Sequence, residues 1–240
     1  MDIYKKILQE SGRKKLALLI DPDKCNRKSI KKRLEIANNC KVDFIFVGGS
    51  LLNYDLMDKC IVAIKSLTKI PIIIFPGNGM HISPKADAIL FLSLISGRNA
   101  DLLIGNHVHS APIIKKFNLE AIPTGYMIME SGHITTAQYV SNSIPLPRSK
   151  PDVAVSTAIA GEMLGLKAIY IDAGSGAENP VPSEIITAVK KNINIPLIIG
   201  GGIRTPEAAK TATAAGADII VIGNAAEENP ELLTLIKNSI

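Results

Sequence analysis

Short apolar segments alternate with helical patterns along the whole chain, and this alternation limits the possible fold more than any other feature. The pattern is typical of parallel strands joined by crossover helices. We predict strands near 17–20, 44–47, 72–75, 88–92, 120–123 (continuing toward 129), 168–171, 197–199 and 219–222. We predict helices at 28–38, 55–67, 101–117, 153–164, 183–191, 206–215 and 230–238. The segment 76–85 is rich in Gly, Pro and Asn, and we expect a loop there in place of a helix.

Eight strand–helix units favour a closed barrel over an open, doubly wound sheet. The chain has 240 residues, which is typical of one barrel domain spanning 1–240. An open dinucleotide-binding sheet needs Gly-x-Gly-x-x-Gly after an early strand, and the sequence has no such motif there. The predicted fold class is therefore α/β, a single (β/α)8 TIM barrel, with its active site at the C-terminal ends of the strands.

The last two predicted strands both end in glycine. Residues 198–204 read Ile-Ile-Gly-Gly-Gly-Ile-Arg, and 219–224 read Ile-Ile-Val-Ile-Gly-Asn. Barrels commonly hold a phosphate in these loops, because glycine lets backbone N–H groups approach the phosphate oxygens. Tight turns without a ligand also use glycine, but three in a row, matched by another one unit later, favour a phosphate site.

Oxygen-bearing side chains follow the first two strands. The first strand ends in Asp21-Pro22-Asp23-Lys24, and the second in Gly48-Gly49-Ser50. Carboxylates suit Mg²⁺ and an ammonium suits a phosphorylated ligand, although Asp, Pro and Ser also open helices without any ligand. Because the two strands are neighbours, Asp21 and Ser50 together predict a shared Mg²⁺ site.

The sixth strand runs into a segment dense in polar and glycine residues, Tyr170-Ile171-Asp172-Ala173-Gly174-Ser175-Gly176. Strand alternation puts Tyr170 and Asp172 on one face, which we expect to point into the barrel mouth. Asp172 would then bind a hydroxyl or take its proton. The Gly-Ser-Gly that follows resembles a backbone nest for an anion.

Three charged residues near the fifth strand admit two interpretations each. Glu130 is a candidate acid, base or ligand holder, or a surface residue. Arg148 and Lys150 lie on a proline-stiffened loop, where they would clamp a diphosphate or form a charged surface turn.

Composition excludes several classes of function. The net charge is +5, but aromatic residues make up only 4% and no nucleic-acid-binding motif is present, so we expect no nucleic-acid partner. No segment reaches the ~18 apolar residues of a membrane span, and we expect no signal peptide, because residues 1–15 are charged and lack an apolar core and a cleavage site. Three cysteines without metal spacing indicate a reduced, cytoplasmic protein. We find no zinc motif and no Ser-His-Asp arrangement.

Taken together, these motifs resemble the geranylgeranylglyceryl phosphate synthase family, which includes bacterial heptaprenylglyceryl phosphate synthases. The resemblance runs through nearly the whole chain, in order. It implies transfer of a prenyl group from a prenyl diphosphate to the hydroxyl of sn-glycerol 1-phosphate, which makes an ether-lipid precursor. It also implies a homo-oligomer, transient membrane contact, and an apolar groove for the prenyl tail, for which 76–85 is our candidate edge.

The resemblance also implies roles for individual residues. Asp21 and Ser50 would hold Mg²⁺, and Tyr170, Asp172 and Glu130 are the catalytic candidates. The family often has Glu where this chain has Asp172, so acid/base and ligand-holding roles both stay open for it. The substrate-binding candidates are Lys24, Tyr170, Ile171, Asp172, Ala173, Gly174, Ser175, Gly176, Gly201, Gly202, Gly223 and Asn224.

Two rival interpretations account for part of the pattern. Another phosphate-binding barrel enzyme, an isomerase or a biosynthetic synthase, would explain the glycine-rich end equally well. A non-catalytic barrel that binds a phosphorylated metabolite belongs to a different class. The carboxylates at the strand ends argue against it, and Mg²⁺-dependent turnover would separate the two.

Overall fold

The eight strands close into a parallel barrel in sequence order. The computed structural model describes residues 2–9, 12–25, 27–54 and 56–240. The strands are β1 Lys15–Ile20, β2 Phe44–Gly48, β3 Ile72–Phe75, β4 Ala88–Leu94, β5 Glu120–Ile128, β6 Ala168–Asp172, β7 Leu197–Gly200 and β8 Ile219–Ile222. All eight predicted strands are confirmed, and β5 continues as its pattern predicted.

Helices surround the barrel at most of the predicted positions. They are α1 Ile3–Leu8, α2 Arg27–Asn39, α3 Met57–Lys65, α4 Asn106–Lys116, α5 Thr136–Ser141, α6 Pro151–Met163, α7 Ser183–Lys190, α8 Pro206–Ala214, α9 Asn224–Glu228 and α10 Leu232–Lys237. The predicted start of the third helix at Asp55 lies outside the described residues. Helices α1, α5 and α9 were missed, because five or six residues are too few to show a helical period.

The strands are buried on both faces, which explains their nearly continuous apolar sequences. Along β2, for example, Phe44 and Phe46 pack inside the barrel, whereas Ile45 and Val47 pack against the outer helices. The barrel interior is thus a filled core, and ligands can be held only at its ends.

Helix α1 closes the N-terminal end of the barrel. Ile3 and Ile7 are buried in the interior cluster. The Glu120 carboxylate, at the start of β5, accepts hydrogen bonds from the backbone N–H groups of Ile3 and Tyr4, both at 2.7 Å. The opposite, C-terminal mouth is left as the open end.

The connection between β3 and β4 contains no helix, as predicted. Another deviation from the regular pattern precedes α4, where Asp101–Gly105 forms a π-helical turn. Turns of this kind often occur near functional sites. Among the described residues, no helix is long and apolar enough to cross a bilayer.

Candidate functional site

A cleft at the C-terminal mouth brings together most of the predicted site residues. We call it the polar cleft; it is lined by Asp21, Gly49, Ser50, Tyr170, Asp172, Gly174, Ser175, Gly176, Gly201, Gly202, Gly223, Asn224 and neighbouring residues. These residues come from the ends of β1, β2, β6, β7 and β8. The expectation that the strand ends converge is therefore correct.

The glycine-rich loops after β6, β7 and β8 lie against one another. Asn224 Nδ2 donates to Ser175 Oγ at 3.1 Å, which ties the eighth loop to the sixth. Gly201 has φ +81°, and a Cβ there would lie 2.5 Å from the backbone nitrogen of Gly174. The loops thus form a narrow, backbone-lined hollow of the kind that accepts a phosphate.

Asp172 is the central acidic group of the polar cleft. Its Oδ2 accepts a hydrogen bond from the Tyr126 hydroxyl at 2.6 Å, and its Oδ1 accepts from the Gly174 N–H at 2.8 Å. The side chain is only 7% exposed. Burial raises the pKa of Asp172, and the two hydrogen bonds oppose that rise. The arrangement suits a carboxylate that binds a hydroxyl and accepts its proton.

Tyr170 points into the barrel mouth on the same face as Asp172, as predicted. Its ring stacks on Phe75 with centroids 5.1 Å apart and planes 9° apart. Burial and the nearby Asp172 raise the pKa of the Tyr170 phenol well above its usual value. The phenol therefore favours its neutral form, which can donate a hydrogen bond to a ligand.

Two members of the same segment do not offer side chains to the cleft. Ile171 and Ala173 are buried in the cluster between barrel and helices. The N–H of Ala173 donates to the Gly200 carbonyl at 3.0 Å. Strand alternation turns these two side chains outward, so any contribution from them to ligand binding is through the backbone.

Sequence reasoning missed Tyr126, whose hydroxyl reaches Asp172 although the residue itself does not line the polar cleft. It pairs with Tyr170 in the β5–β6 register, and the two rings meet edge to face at 5.6 Å. The available signal was weak: a tyrosine on β5 two residues before the strand end. Only the register shows that its hydroxyl reaches Asp172.

Asp21 and Ser50 lie on the opposite side of the polar cleft. Asp21 Oδ1 accepts from the Asp23 N–H at 3.0 Å, so Asp21 caps the short turn Pro22–Lys24. Burial raises the pKa of Asp21. No group of three or more acidic, Cys or His side chains forms a metal cluster within the described part of the chain. A cation here would therefore take most of its ligands from substrate and water.

Lys24 does not line the cleft but is paired at its edge. Its Nζ lies 3.1 Å from Glu227 Oε2, and Arg33, only 3% exposed, lies 3.3 Å from Glu227 Oε1. Glu227 itself lines the cleft from α9. This carboxylate joins α9, which follows the eighth strand, to the turn and helix that follow the first.

The structure places Glu130 on the surface, away from the polar cleft. The Glu130 N–H donates to the Leu146 carbonyl at 3.0 Å. This bond holds the chain after β5 against the segment around Leu146 and directs it away from the barrel mouth. Arg148 Nη1 donates to the carbonyls of Glu130 and Pro180 at 3.2 and 2.8 Å. Arg148 thus fastens two loops together, Lys150 is exposed, and none of the three lines the cleft.

An apolar groove opens beside the polar cleft. We call it the tail groove; it is lined by residues of the loop after β3, of β4, α4 and α5, among them Pro76, Gly77, Gly79, Ile82, Leu92, Leu102, His107, Ile114, Tyr126, Ile128, Ala137 and Val140. Gly49, Ser50 and Phe75 line both the groove and the cleft. The helix-free segment 76–85 does border a groove, as predicted.

Comparisons with known proteins show the family of this chain. The PcrB family model matches residues 7–239. The geranylgeranylglyceryl phosphate synthase of Spirosoma linguale is 53% identical over 223 residues, covering 93% of this chain and 90% of the relative. That of Chitinophaga pinensis is 47% identical over 229 residues, covering 95% and 91%. The crystal structure of (S)-3-O-geranylgeranylglyceryl phosphate synthase from Thermoplasma acidophilum, in complex with its substrate sn-glycerol-1-phosphate, has a TM-score of 0.94 and 38% identity, covering 100% of this chain and 98% of that chain.

Proposed function

Since the chain belongs to the PcrB family, we propose that it transfers a prenyl group from a prenyl diphosphate to the free hydroxyl of sn-glycerol 1-phosphate. It is a prenyltransferase of the geranylgeranylglyceryl phosphate synthase kind, in agreement with the motif resemblance. The product is an ether-lipid precursor.

One observation carries the mechanism: the polar cleft and the tail groove meet at Ser50 and Phe75. A prenyl diphosphate has a charged head and a long apolar tail, so it needs contiguous polar and apolar sites. The reacting carbon joins the two parts of this substrate and would lie at the junction. Asp172 lies in the cleft, and its hydrogen-bond partner Tyr126 lines the groove.

The glycine-rich loops supply the site for glycerol phosphate. The loops carrying Gly174, Ser175, Gly201 and Gly223 face the cleft. Their backbone would bind the phosphate oxygens, while the neutral Tyr170 hydroxyl and the Asp172 carboxylate would bind the glycerol hydroxyls. A fixed phosphate holds the attacking hydroxyl in place, which contributes to the rate by orientation.

Asp21 and Ser50 would hold Mg²⁺. Their carboxylate and hydroxyl oxygens are hard donors that leave positions for water and diphosphate, as Mg²⁺ prefers. The raised pKa of the half-buried Asp21 fits such a role, because a bound cation would favour the charged carboxylate. When bound, Mg²⁺ would neutralise negative charge on the diphosphate leaving group.

In the transfer, the bond between the allylic carbon and the diphosphate oxygen breaks, and the glycerol oxygen bonds to the same carbon. The proton of the attacking hydroxyl moves to Asp172, and diphosphate leaves. Burial raises the pKa of Asp172 toward neutral pH. A general base works best when its pKa lies near the pH of the reaction. The apolar walls of the tail groove keep water away from the developing carbocation.

The activity is tested with radiolabelled sn-glycerol 1-phosphate, Mg²⁺ and a panel of prenyl diphosphates, with label followed into the organic phase. We expect extractable label with the wild-type chain and not with sn-glycerol 3-phosphate. Asp21→Asn should abolish extraction, whereas Asp152→Asn, which removes an exposed carboxylate on the outer helix α6, should not. Glycerol phosphate binding without transfer from any donor would refute the proposal and favour another phosphate-binding barrel enzyme.

We also propose assembly into a homo-oligomer and transient membrane contact. The support is a set of exposed apolar side chains around the groove, including Met80, Ile104, Val108, Tyr139 and Ile144. Light scattering measures the oligomeric state, and a monomer would contradict the proposed assembly. Co-sedimentation with vesicles measures membrane binding, and a protein that stays in the supernatant would contradict the proposed contact.

A further inference from the structure

Tyr126 touches both halves of the site. Its ring lines the tail groove, and its hydroxyl donates to Asp172 Oδ2 in the polar cleft at 2.6 Å. This side chain is thus the physical link between the place where the prenyl tail would lie and the carboxylate that would receive the proton.

The ring of Tyr126 is held on two sides. It meets Phe75 edge to face, with centroids 5.8 Å apart and planes at 69°. It meets Tyr170 at 5.6 Å and 61°. Two such contacts fix the ring plane, so the hydroxyl presents one direction to Asp172.

The carboxylate of Asp172 depends on this hydroxyl for its orientation. Oδ1 is fixed by the Gly174 N–H at 2.8 Å, and Oδ2 by Tyr126. Each oxygen has a second lone pair, which remains for the glycerol hydroxyl. Loss of the Tyr126 hydroxyl would leave Oδ2 buried beside an apolar edge, and the carboxylate would turn to find another donor.

We propose that Tyr126 is a positioning residue: it holds the Asp172 carboxylate at the junction of cleft and groove, aimed at the glycerol hydroxyl that attacks the prenyl carbon. The inference rests on the proposed prenyltransferase function.

Tyr126 also stabilises the ionised form of Asp172, since a donor to a carboxylate lowers its pKa. The other titratable and charged groups that border the two sites are Tyr170, Asp21, Arg204, Glu227, Glu228 and His107. None of these has a hydrogen bond to Asp172 among the described residues. Removal of the Tyr126 hydroxyl should therefore raise the pKa of Asp172, and the acid limb of activity should move to higher pH.

The test is Tyr126→Phe, which keeps the ring and removes the hydroxyl. A bond to a charged group predicts a loss in kcat/KM of about 10- to 100-fold near neutral pH. The KM for prenyl diphosphate should change little, and the acid limb of the kcat/KM profile should shift upward. The matched control is Tyr4→Phe, which removes a hydroxyl that donates to the Lys167 carbonyl on the surface near the closed end of the barrel. It should leave the profile unchanged.

A double-mutant cycle distinguishes positioning from a general structural effect. If Tyr126 acts through Asp172, Tyr126→Phe should cost little further activity in an Asp172→Asn background. Additive losses, or a Tyr126→Phe enzyme whose acid limb matches the wild type, would overturn the proposal. Thermal melting of each variant shows whether it folds.

The wild-type chain is assayed first, so that a failure of the proposed function can be distinguished from a failure of the role proposed for Tyr126. Absence of prenyl transfer by the wild type would refute the proposed function. Wild-type transfer combined with an unshifted acid limb in Tyr126→Phe would refute only the role of Tyr126.

Discussion

Gly201→Ala tests the close packing of the phosphate loops. The backbone at Gly201 has φ +81°, which costs an L-residue about 1–2 kcal/mol. A Cβ there would lie 2.5 Å from the backbone nitrogen of Gly174 and 2.8 Å from Asp172 Oδ1. The nitrogen of Gly174 belongs to the backbone and cannot rotate away, so the loops must move apart, at a further cost of about 1–3 kcal/mol.

The expected total is about 2–5 kcal/mol, which for a chain of this size lowers Tm by about 4–20 °C. The same displacement opens the phosphate site, so affinity for sn-glycerol 1-phosphate should fall at least tenfold, about 1.4 kcal/mol. Differential scanning calorimetry measures the first quantity and isothermal titration calorimetry the second.

Gly165→Ala is the matched control. Gly165 has φ +87° and lies between α6 and β6, but a Cβ there would meet nothing within 4 Å. Gly165→Ala should therefore lose only the stability that a positive φ costs an L-residue, and it should bind glycerol phosphate as tightly as the wild type. Equal loss of Tm in both variants, with unchanged affinity in Gly201→Ala, would refute the close approach described for these loops.

Three further predictions concern charge. Asp172→Asn should lower kcat at least about 100-fold. Burial raises the pKa of Asp172, so ionisation of this carboxyl destabilises the folded chain as pH rises through that pKa, and the Tm of the wild type should fall with rising pH relative to the Tm of Asp172→Asn; parallel curves of Tm against pH for the two proteins would contradict this. Glu227→Gln should destabilise by about 1–3 kcal/mol in urea unfolding, since the carboxylate faces the buried Arg33. Lys24→Met, at the exposed end of the same cluster, should cost less than about 1 kcal/mol, and the opposite ranking would contradict the geometry. Removal of Mg²⁺ with EDTA should stop prenyl transfer while calorimetry still detects glycerol phosphate binding, and Asp21→Asn should bind Mg²⁺ more weakly than the wild type.

Much of the site was predictable because a parallel barrel places all strand ends at one mouth. Asp21, Ser50 and Asp172 are far apart in sequence, yet each follows a recognisable apolar strand. Once eight strands are counted, their convergence needs no further information. The glycine loops were predictable for a similar reason, since a residue without Cβ marks close backbone approach.

The sequence was less informative where a side chain leaves the strand pattern. Glu130 lies just after β5 and Asp172 is the last residue of β6, so both are carboxylates at a strand end and look alike in the sequence. In the structure the chain after β5 pairs with Leu146 and turns outward, so that Glu130 is exposed. Packing between distant segments decides whether a loop folds over the mouth or away from it. A local sequence pattern does not predict this choice.

The sequence by itself determined the strand order, the open mouth and the chemistry at most strand ends, because apolar periodicity and glycine act locally. Only the tertiary structure decided which side chains meet. The bond from Tyr126 to Asp172 spans 46 positions, and that from Lys24 to Glu227 spans 203. Such contacts follow from strand register and barrel closure. These depend on the packing of the whole chain, and that packing assigned Asp172 a partner in the tail groove.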